Sequence, residues 1–245
     1  MGNHRHVKQP DTLDLVVAFL AKRDGIDKVL KIIRYLTKLI LALELTPEAD
    51  LAKRLSSFES SIGVSRKAYR LGKWLANLNA IRKTPITTRY GALELLNNGG
   101  EGVYYFVEQL TWLVKAGLID KRFAKRFSRI SAWGEMVGYV GNITLNCLRI
   151  AAALEREVML TEELHRRKKM DDQAAEGDAA LMAEVRALQA RRLLRTLAVV
   201  QDLCDSTLAL NDIRETKGIF ATPTWLGIAG LISAFISVHK NWPPS

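Results

Sequence analysis

The sequence predicts an all-α fold: a membrane-associated helical bundle with amphipathic helices and one or two transmembrane helices. Three observations carry that expectation. Apolar residues recur at helical spacing along nearly the whole chain, whereas the period-two alternation of strands is almost absent. Residues 218–238, GIFATPTWLGIAGLISAFISV, contain no charged side chain; as a helix they would extend about 32 Å, close to the roughly 30 Å of a hydrocarbon core. Residues 64–83 combine an oily face with a face that carries only positive charge.

The chain has 245 residues, 48% of them hydrophobic, and a formal net charge of +10. That length allows one large domain or two small ones with a sizeable core. The positive excess leaves two classes of polyanionic partner, nucleic acid and an anionic lipid surface. Cys147 and Cys204 stand far apart, which excludes a disulfide framework and fits a reducing compartment. The opening MGNHRHVKQP is too polar for a secretory signal peptide, and His6 occupies the place where N-myristoylation needs Ser or Thr. The closing PPS is not an address of the Ser-Lys-Leu type.

Residues 1–129 read as an N-terminal helical region. A first helix opens at Asp11 and Thr12, both good caps, and runs to about Ala21, with Gly25 interrupting it. A second, IDKVLKIIRYLTKLILAL, places Ile26, Val29, Leu30, Ile33, Leu36 and Ile40 on one face, and Thr46-Pro47 ends it. A third continues from Pro47 through Leu51 and Leu55 into the basic segment. There Ala68, Leu71, Trp74, Leu75, Leu78 and Ile81 form an apolar face, and Arg66, Arg70 and Lys73 lie opposite. No acidic residue stands between Glu59 and Glu94. The expected membrane-binding element is therefore one amphipathic helix over 64–83, closed by Pro85, because the residue before a proline is pushed out of helical geometry.

Residues 91–117 form a further apolar helix, broken in the middle by Asn97, Asn98, Gly99 and Gly100; the basic stretch 121–129 follows. Residues 130–148 are a candidate membrane helix whose short uncharged core equally suits a buried helix; Gly134, Gly138 and Gly141 give it a smooth packing face. Residues 149–217 make a charged connector, solvated and fading into a link by Gly177, and then a packing helix from near Leu181 to about Asn211. Its row of Leu193, Leu197, Val200, Cys204 and Leu208 faces another helix. Residues 218–238 are the C-terminal transmembrane helix, with Gly230 and Ala234 as a small pair for close helix contact and Trp225 and Trp242 near the interfaces. A buried core helix is the alternative there.

No catalytic constellation stands out. His4, His6, His165 and His239 make no helical metal pair, and Asn97-Asn98-Gly99-Gly100 lacks the Lys-Ser/Thr that phosphate cradling needs. Glu101, Glu108 and Glu135 read as isolated acids, solvated or capping. Neither a metal nor a cofactor is expected. Nucleic-acid binding fits the charge but leaves the uncharged 218–238 without a purpose. A pore would need ionisable residues along a span, for which Glu135 and Arg149 are the candidates.

Three stretches in order, FLAKRDGIDKVLKIIRYL (19–36), SRKAYRLGKWLANLNAI (65–81) and GVYYFVEQLTWLVKAGLI (102–119), together with the hydrophobic tail, resemble the peroxin-eleven family of peroxisomal membrane elongation and proliferation factors. The likeness runs from about Leu13 to Val238. Ile26 stands where the family carries a basic residue, and 160–180 has no clear counterpart. The resemblance implies an integral protein of the peroxisomal membrane that deforms it, self-associates as a homo-oligomer and works with the fission machinery, a dynamin-related protein and its membrane adaptor. Some relatives are linked to passage of small metabolites. The expected mechanism is insertion of the basic amphipathic helix into one leaflet of an anionic phospholipid membrane, with a metabolite pore as the alternative and no nucleic-acid partner.

Overall fold

The computed structural model describes residues 11–45, 48–169, 175–214 and 221–243. They form α1 (Thr12–Leu20), α2 (Arg23–Ala42), α3 (Ala49–Tyr69), α4 (Lys73–Lys83), α5 (Gly91–Lys115), a 3-10 turn (Lys121–Phe123), α6 (Ala124–Lys169), α7 (Ala175–Arg214) and α8 (Pro223–Asn241). No strand occurs among the described residues.

Local chemistry sets several of these boundaries. Asp11 caps α1 through a reciprocal box: its side chain accepts from the Asp14 N–H at 2.9 Å, and the Asp14 side chain accepts from the Asp11 N–H at 3.1 Å. Gly25 does not interrupt the first helix, as the sequence suggested. It lies in the first turn of α2, where a Cβ would collide with the Phe19 carbonyl that ends α1. Thr222 caps α8, and Pro223 occupies the first helical position, where a missing N–H costs nothing. Thr46-Pro47, the expected end of the second helix, and residues 218–220 of the expected C-terminal span lie outside the described residues.

Two expected boundaries are overturned. The segment 64–83 is two helices: α3 ends at Tyr69, and Gly72, at φ +77°, supplies the left-handed turn that starts α4. The segment 91–117 holds one uninterrupted helix, Gly91–Lys115, with no break at Asn97–Gly100. Asn98 donates to the Glu94 carbonyl at 2.8 Å, and Gly100 faces the backbone of α6 so closely that a Cβ would stand 2.6 Å from the Gly134 carbonyl oxygen. The Asn-Asn-Gly-Gly run that resembles a turn is a groove for a neighbouring helix.

The helices close a ring. α2 packs on α3, α3 on α5, α5 on α6, α6 on α7, α7 on α8 and α8 back on α2, with α1 against α2 and α4 against α5. The faces turned into this ring carry buried polar groups. On α2, Asp27, Lys31 and Tyr35 point inward, while Ile33 and Leu36 are exposed. On α7, Ala198, Asp202, Asp205 and Ala209 are buried, whereas Leu193 and Val200 of the expected packing row are exposed. On α6, Ile130, Trp133, Val137, Val140, Leu148 and Leu154 form an outward apolar line, and on α8, Ile228, Ile232 and Phe235 do the same. Buried polar groups behind an apolar exterior are the arrangement that a lipid solvent favours. Among the described residues, one helix, Lys121–Arg167, is long and apolar enough to cross a membrane by length and composition, and only 28% of its apolar window is buried.

Candidate functional site

Two features stand out on this scaffold: an outward leucine ridge on α4 and a charged interior enclosed by the ring. The ridge follows from helical spacing. Leu71, in the turn before α4, and Leu75 and Leu78 on it align at i, i+4 and i+7 and are 55%, 52% and 46% exposed. Arg82 continues the same line, and Arg82 and Lys83 are both exposed at the end of the helix. Ala68 is exposed, on α3, while Trp74 and Ile81 are half-buried. Trp74 meets the ring of Phe106 on α5 edge-on, with centroids 5.6 Å apart.

The cations expected to face the membrane point elsewhere. Arg66 and Arg70 donate to Asp27 Oδ1 through their Nε atoms at 3.0 and 3.1 Å, and Arg70 Nη2 reaches Asp27 Oδ2 at 3.2 Å. Lys73 pairs with Asp24. Charge on α3 and at the start of α4 is thus answered by acids of α2 within the chain. Burial alone would raise the Asp27 pKa, but Arg70, Arg66 and Lys28 together hold it well below the usual carboxylate range.

A second knot joins α3 to α5. Lys67 donates to Glu108 at 3.0 Å, and Arg70 Nη1 donates to the Tyr104 hydroxyl at 2.6 Å and to Glu108 at 3.3 Å. Against the effect of burial, Arg70 and then Lys67 lower the Glu108 pKa to about 2. A third knot joins α2, α7 and α8: Lys31 donates to both Asp205 oxygens at 2.9 and 3.0 Å and to Ser233 Oγ at 2.6 Å, and Ser233 donates to Asp205. These knots surround a cavity of about 210 Å³, with Glu135 also on its wall.

Sequence reasoning read Glu101, Glu108 and Glu135 as isolated. All three have partners: Glu101 accepts from Asn77, Glu108 from Lys67 and Arg70, and Glu135 from the Tyr139 hydroxyl at 2.7 Å. Arg149, the other residue picked for a pore, pairs with Glu94 and does not line the cavity. The missed signal was the i, i+4 spacing of Asp27 and Lys31 on α2, which marks a charged stripe opposite the isoleucines.

The glycines occupy the helix contacts. A Cβ on Gly134 would stand 3.0 Å from the Gly100 carbonyl oxygen, one on Gly138 3.2 Å from the Glu101 nitrogen, and one on Gly141 2.7 Å from the Asn97 nitrogen. Gly230 lies against the Tyr35 ring of α2, and Ala234 is fully buried. No group of His, Cys, Asp and Glu suited to a metal ion occurs among the described residues.

Comparison with known proteins extends this picture. Residues 13–242 match the family model described as Peroxisomal biogenesis factor 11 (PEX11). The chain is 42% identical over 239 residues to peroxisomal membrane protein 11A of Arabidopsis thaliana, covering 96% of this chain and 94% of that protein. It is 45% identical over 237 residues to peroxisomal membrane protein 11-3 of Oryza sativa subsp. japonica, covering 97% and 91%. Similarity extends to peroxisomal membrane protein PMP30A of Candida boidinii at 22% identity, with 93% of each chain covered. No solved structure matches.

Proposed function

Because this chain belongs to the PEX11 family and is therefore a peroxisomal membrane protein of peroxisome biogenesis, we propose that it bends and elongates that membrane by inserting the α4 leucine ridge into one leaflet. The observation that carries this reading is the ridge itself: Leu71, Leu75 and Leu78 stand half-exposed in line, with Arg82 and Lys83 beyond them. Full burial of a large aliphatic side chain is worth roughly 1.5–3 kcal/mol. Half remains to be gained at each leucine, so the ridge contributes about 3 kcal/mol. Arg82 and Lys83 add about 1 kcal/mol each near an anionic surface. That sum is too small to hold the chain alone, and α6 and α8, with their outward apolar lines, supply the anchorage.

A ridge entering one leaflet expands only that leaflet, so the bilayer curves. Self-association concentrates such wedges into a tubule that a dynamin-related protein, recruited with its adaptor, divides. The electrostatic share of insertion is assigned to Arg82 and Lys83, since Arg66, Arg70 and Lys73 answer acids of α2. The test is Leu71→Glu with Leu75→Glu in the full chain. The doubly substituted protein stays in the membrane pellet after alkaline carbonate extraction but no longer elongates peroxisomes or tubulates anionic vesicles; normal tubulation refutes the wedge. Passage of small metabolites is a second reading, favoured by the charged cavity inside the ring. Conductance across planar bilayers that changes ion selectivity on Glu135→Gln supports it, and an unaltered conductance removes it.

A further inference from the structure

α5 and α7 pack on one side of α6, where Gly134, Gly138 and Gly141 meet α5. The outward side carries residues that recur at alternating steps of three and four. One row is Ile130, Val137, Thr144, Ala151, Val158 and His165; the other is Trp133, Val140, Cys147, Leu154 and Thr161, and every member of both rows is exposed. A strict heptad kept from Ile130 to His165 is the spacing of a coiled-coil seam. We propose that α6 pairs along this seam with α6 of a second copy, as a parallel two-stranded coiled coil that starts in the bilayer and continues beyond it. The pairing gives the self-association proposed above a surface, an orientation and a register. It rests on that reading only in placing two copies in one membrane, and the α4 ridge plays no part in it.

Length separates a second copy from lipid as the occupant. The seam extends about 50 Å, against roughly 30 Å of hydrocarbon. Between 130 and 148 Glu135 is the one charged residue, but from Arg149 the charges return, and Glu155, Arg156, Glu162 and Arg166 surround the far part of the seam. Leu154 and Val158, 39% and 55% exposed, therefore stand outside an apolar slab that holds 130–148. Acyl chains can cover the near half alone. A second α6 covers both halves: two copies inserted the same way bring identical helices side by side in parallel, with each seam residue opposite its own counterpart across a two-fold axis. α8 keeps its outward line of Ile228, Ile232 and Phe235 for lipid.

The side chains suit two strands. Ile130, Val137, Thr144 and Val158 put β-branched residues in the first row, and Leu154 stands in the second, a combination that favours parallel dimers over higher orders. Thr144, Cys147 and Ala151 are small at the middle of the seam, which lets the two backbones approach. The threonine hydroxyls are satisfied within the helix: Thr144 donates to the Val140 carbonyl and Thr161 to that of Glu157, each at 2.8 Å. Neither brings an unpaired donor into the contact.

The test uses the full chain in phosphatidylcholine proteoliposomes at low protein density. Cys147 and Cys204 are the two cysteines, so Cys204→Ser leaves Cys147 as the sole thiol, opposite its counterpart. Oxidation with copper phenanthroline is expected to give a disulfide-linked band at twice the 27.4 kDa chain mass. In a Cys147→Ser/Cys204→Ser background, Val158→Cys cross-links and Met159→Cys does not, although these neighbours are 55% and 54% exposed. Leu154→Glu/Val158→Glu abolishes the Cys147 cross-link, whereas Leu71→Glu/Leu75→Glu keeps it, so failure of the seam and failure of the α4 wedge are read separately. A chain that stays monomeric on oxidation of Cys147, equal cross-linking at 158 and 159, or a cross-link that survives the two glutamates in the seam overturns the proposal. Should the double glutamate variant misfold, the comparison of Val158→Cys with Met159→Cys decides, since each replaces one exposed side chain.

Discussion

Replacing Asp27 by Asn removes one negative charge from a point where three cations converge. Asp27 is 0% exposed, with Arg66 Nε at 3.0 Å, Arg70 Nε at 3.1 Å and Lys28 Nζ at 3.7 Å. Breaking a buried pair from one side costs about 3–5 kcal/mol, because the partner charges stay behind without compensation. Asn keeps one acceptor oxygen for a guanidinium, so the lower end of that range, about 3 kcal/mol, is expected. At about 2–4 °C per kcal/mol for a chain of this size, the melting temperature falls by about 6–12 °C. Asp50→Asn is the control. It breaks the Asp50–Arg54 pair at 2.8 Å, whose side chains are 67% and 77% exposed, and such pairs contribute about 0–1 kcal/mol. Thermal unfolding of the full-length protein in detergent, followed by tryptophan fluorescence, measures both. Adding Arg66→Met to Asp27→Asn should recover part of the loss, since the orphaned cation goes too. A shift for Asp27→Asn no larger than that for Asp50→Asn refutes the assignment of an ionic core.

Adjacent glycines on α5 give opposite expectations: Gly99→Ala, where a Cβ meets nothing within 4 Å, stabilises by up to about 1 kcal/mol through helix propensity, whereas Gly100→Ala drives a methyl into the α6 backbone and lowers the melting temperature. Gly72→Ala strains a backbone at φ +77° while its Cβ meets only Leu75 at 4.0 Å, so its cost is conformational alone, about 1 kcal/mol by denaturant titration. On the acid side, the Glu108 carboxyl has its pKa lowered from 4.5 to about 2 in the folded chain. A depressed carboxylate contributes its full stability above the unfolded value and loses it as pH falls through the folded one. Melting temperature should therefore drop between about pH 4.5 and pH 2, less steeply in Glu108→Gln, as thermal scans across that range will read.

Helix existence and order were legible because periodicity is a local property, and the family resemblance was legible because its three stretches lie in order. What the sequence could not carry was which face of each helix turns inward. A 3.6-residue period defines two faces, and assigning the apolar one to the interior assumes water outside. On α2 and α7 that assumption fails in part: Asp27, Lys31, Asp202 and Asp205 are inside and Ile33, Leu36, Leu193 and Val200 outside, while Leu197, Cys204 and Leu208 of the α7 row are half-buried. The apolar face of 64–83 is expected to meet lipid, whereas the apolar row of α7 is expected to meet another helix, as water outside would require. The same inconsistency hid the site. Arg66, Arg70 and Lys73 look available to lipid only until Asp24 and Asp27 are placed opposite them, and that placement is tertiary.

The inversion also bears on how a wedge and an anchor share one chain. A helix that must carry both its oily face and its cations into a headgroup layer has to leave the bundle to do so. Here the cations of α3 and the start of α4 are the clamps that hold α3 against α2 and α5, so releasing them exposes Asp27 and Glu108 at about 3–5 kcal/mol for each buried carboxylate, more than the roughly 3 kcal/mol that three surface cations could gain beyond Arg82 and Lys83. Insertion with the bundle intact avoids that cost, because Leu71, Leu75 and Leu78 already face outward. On the proposed reading the ridge would work as a fixed prow on an anchored body, at a depth in the leaflet set by where α6 and α8 sit.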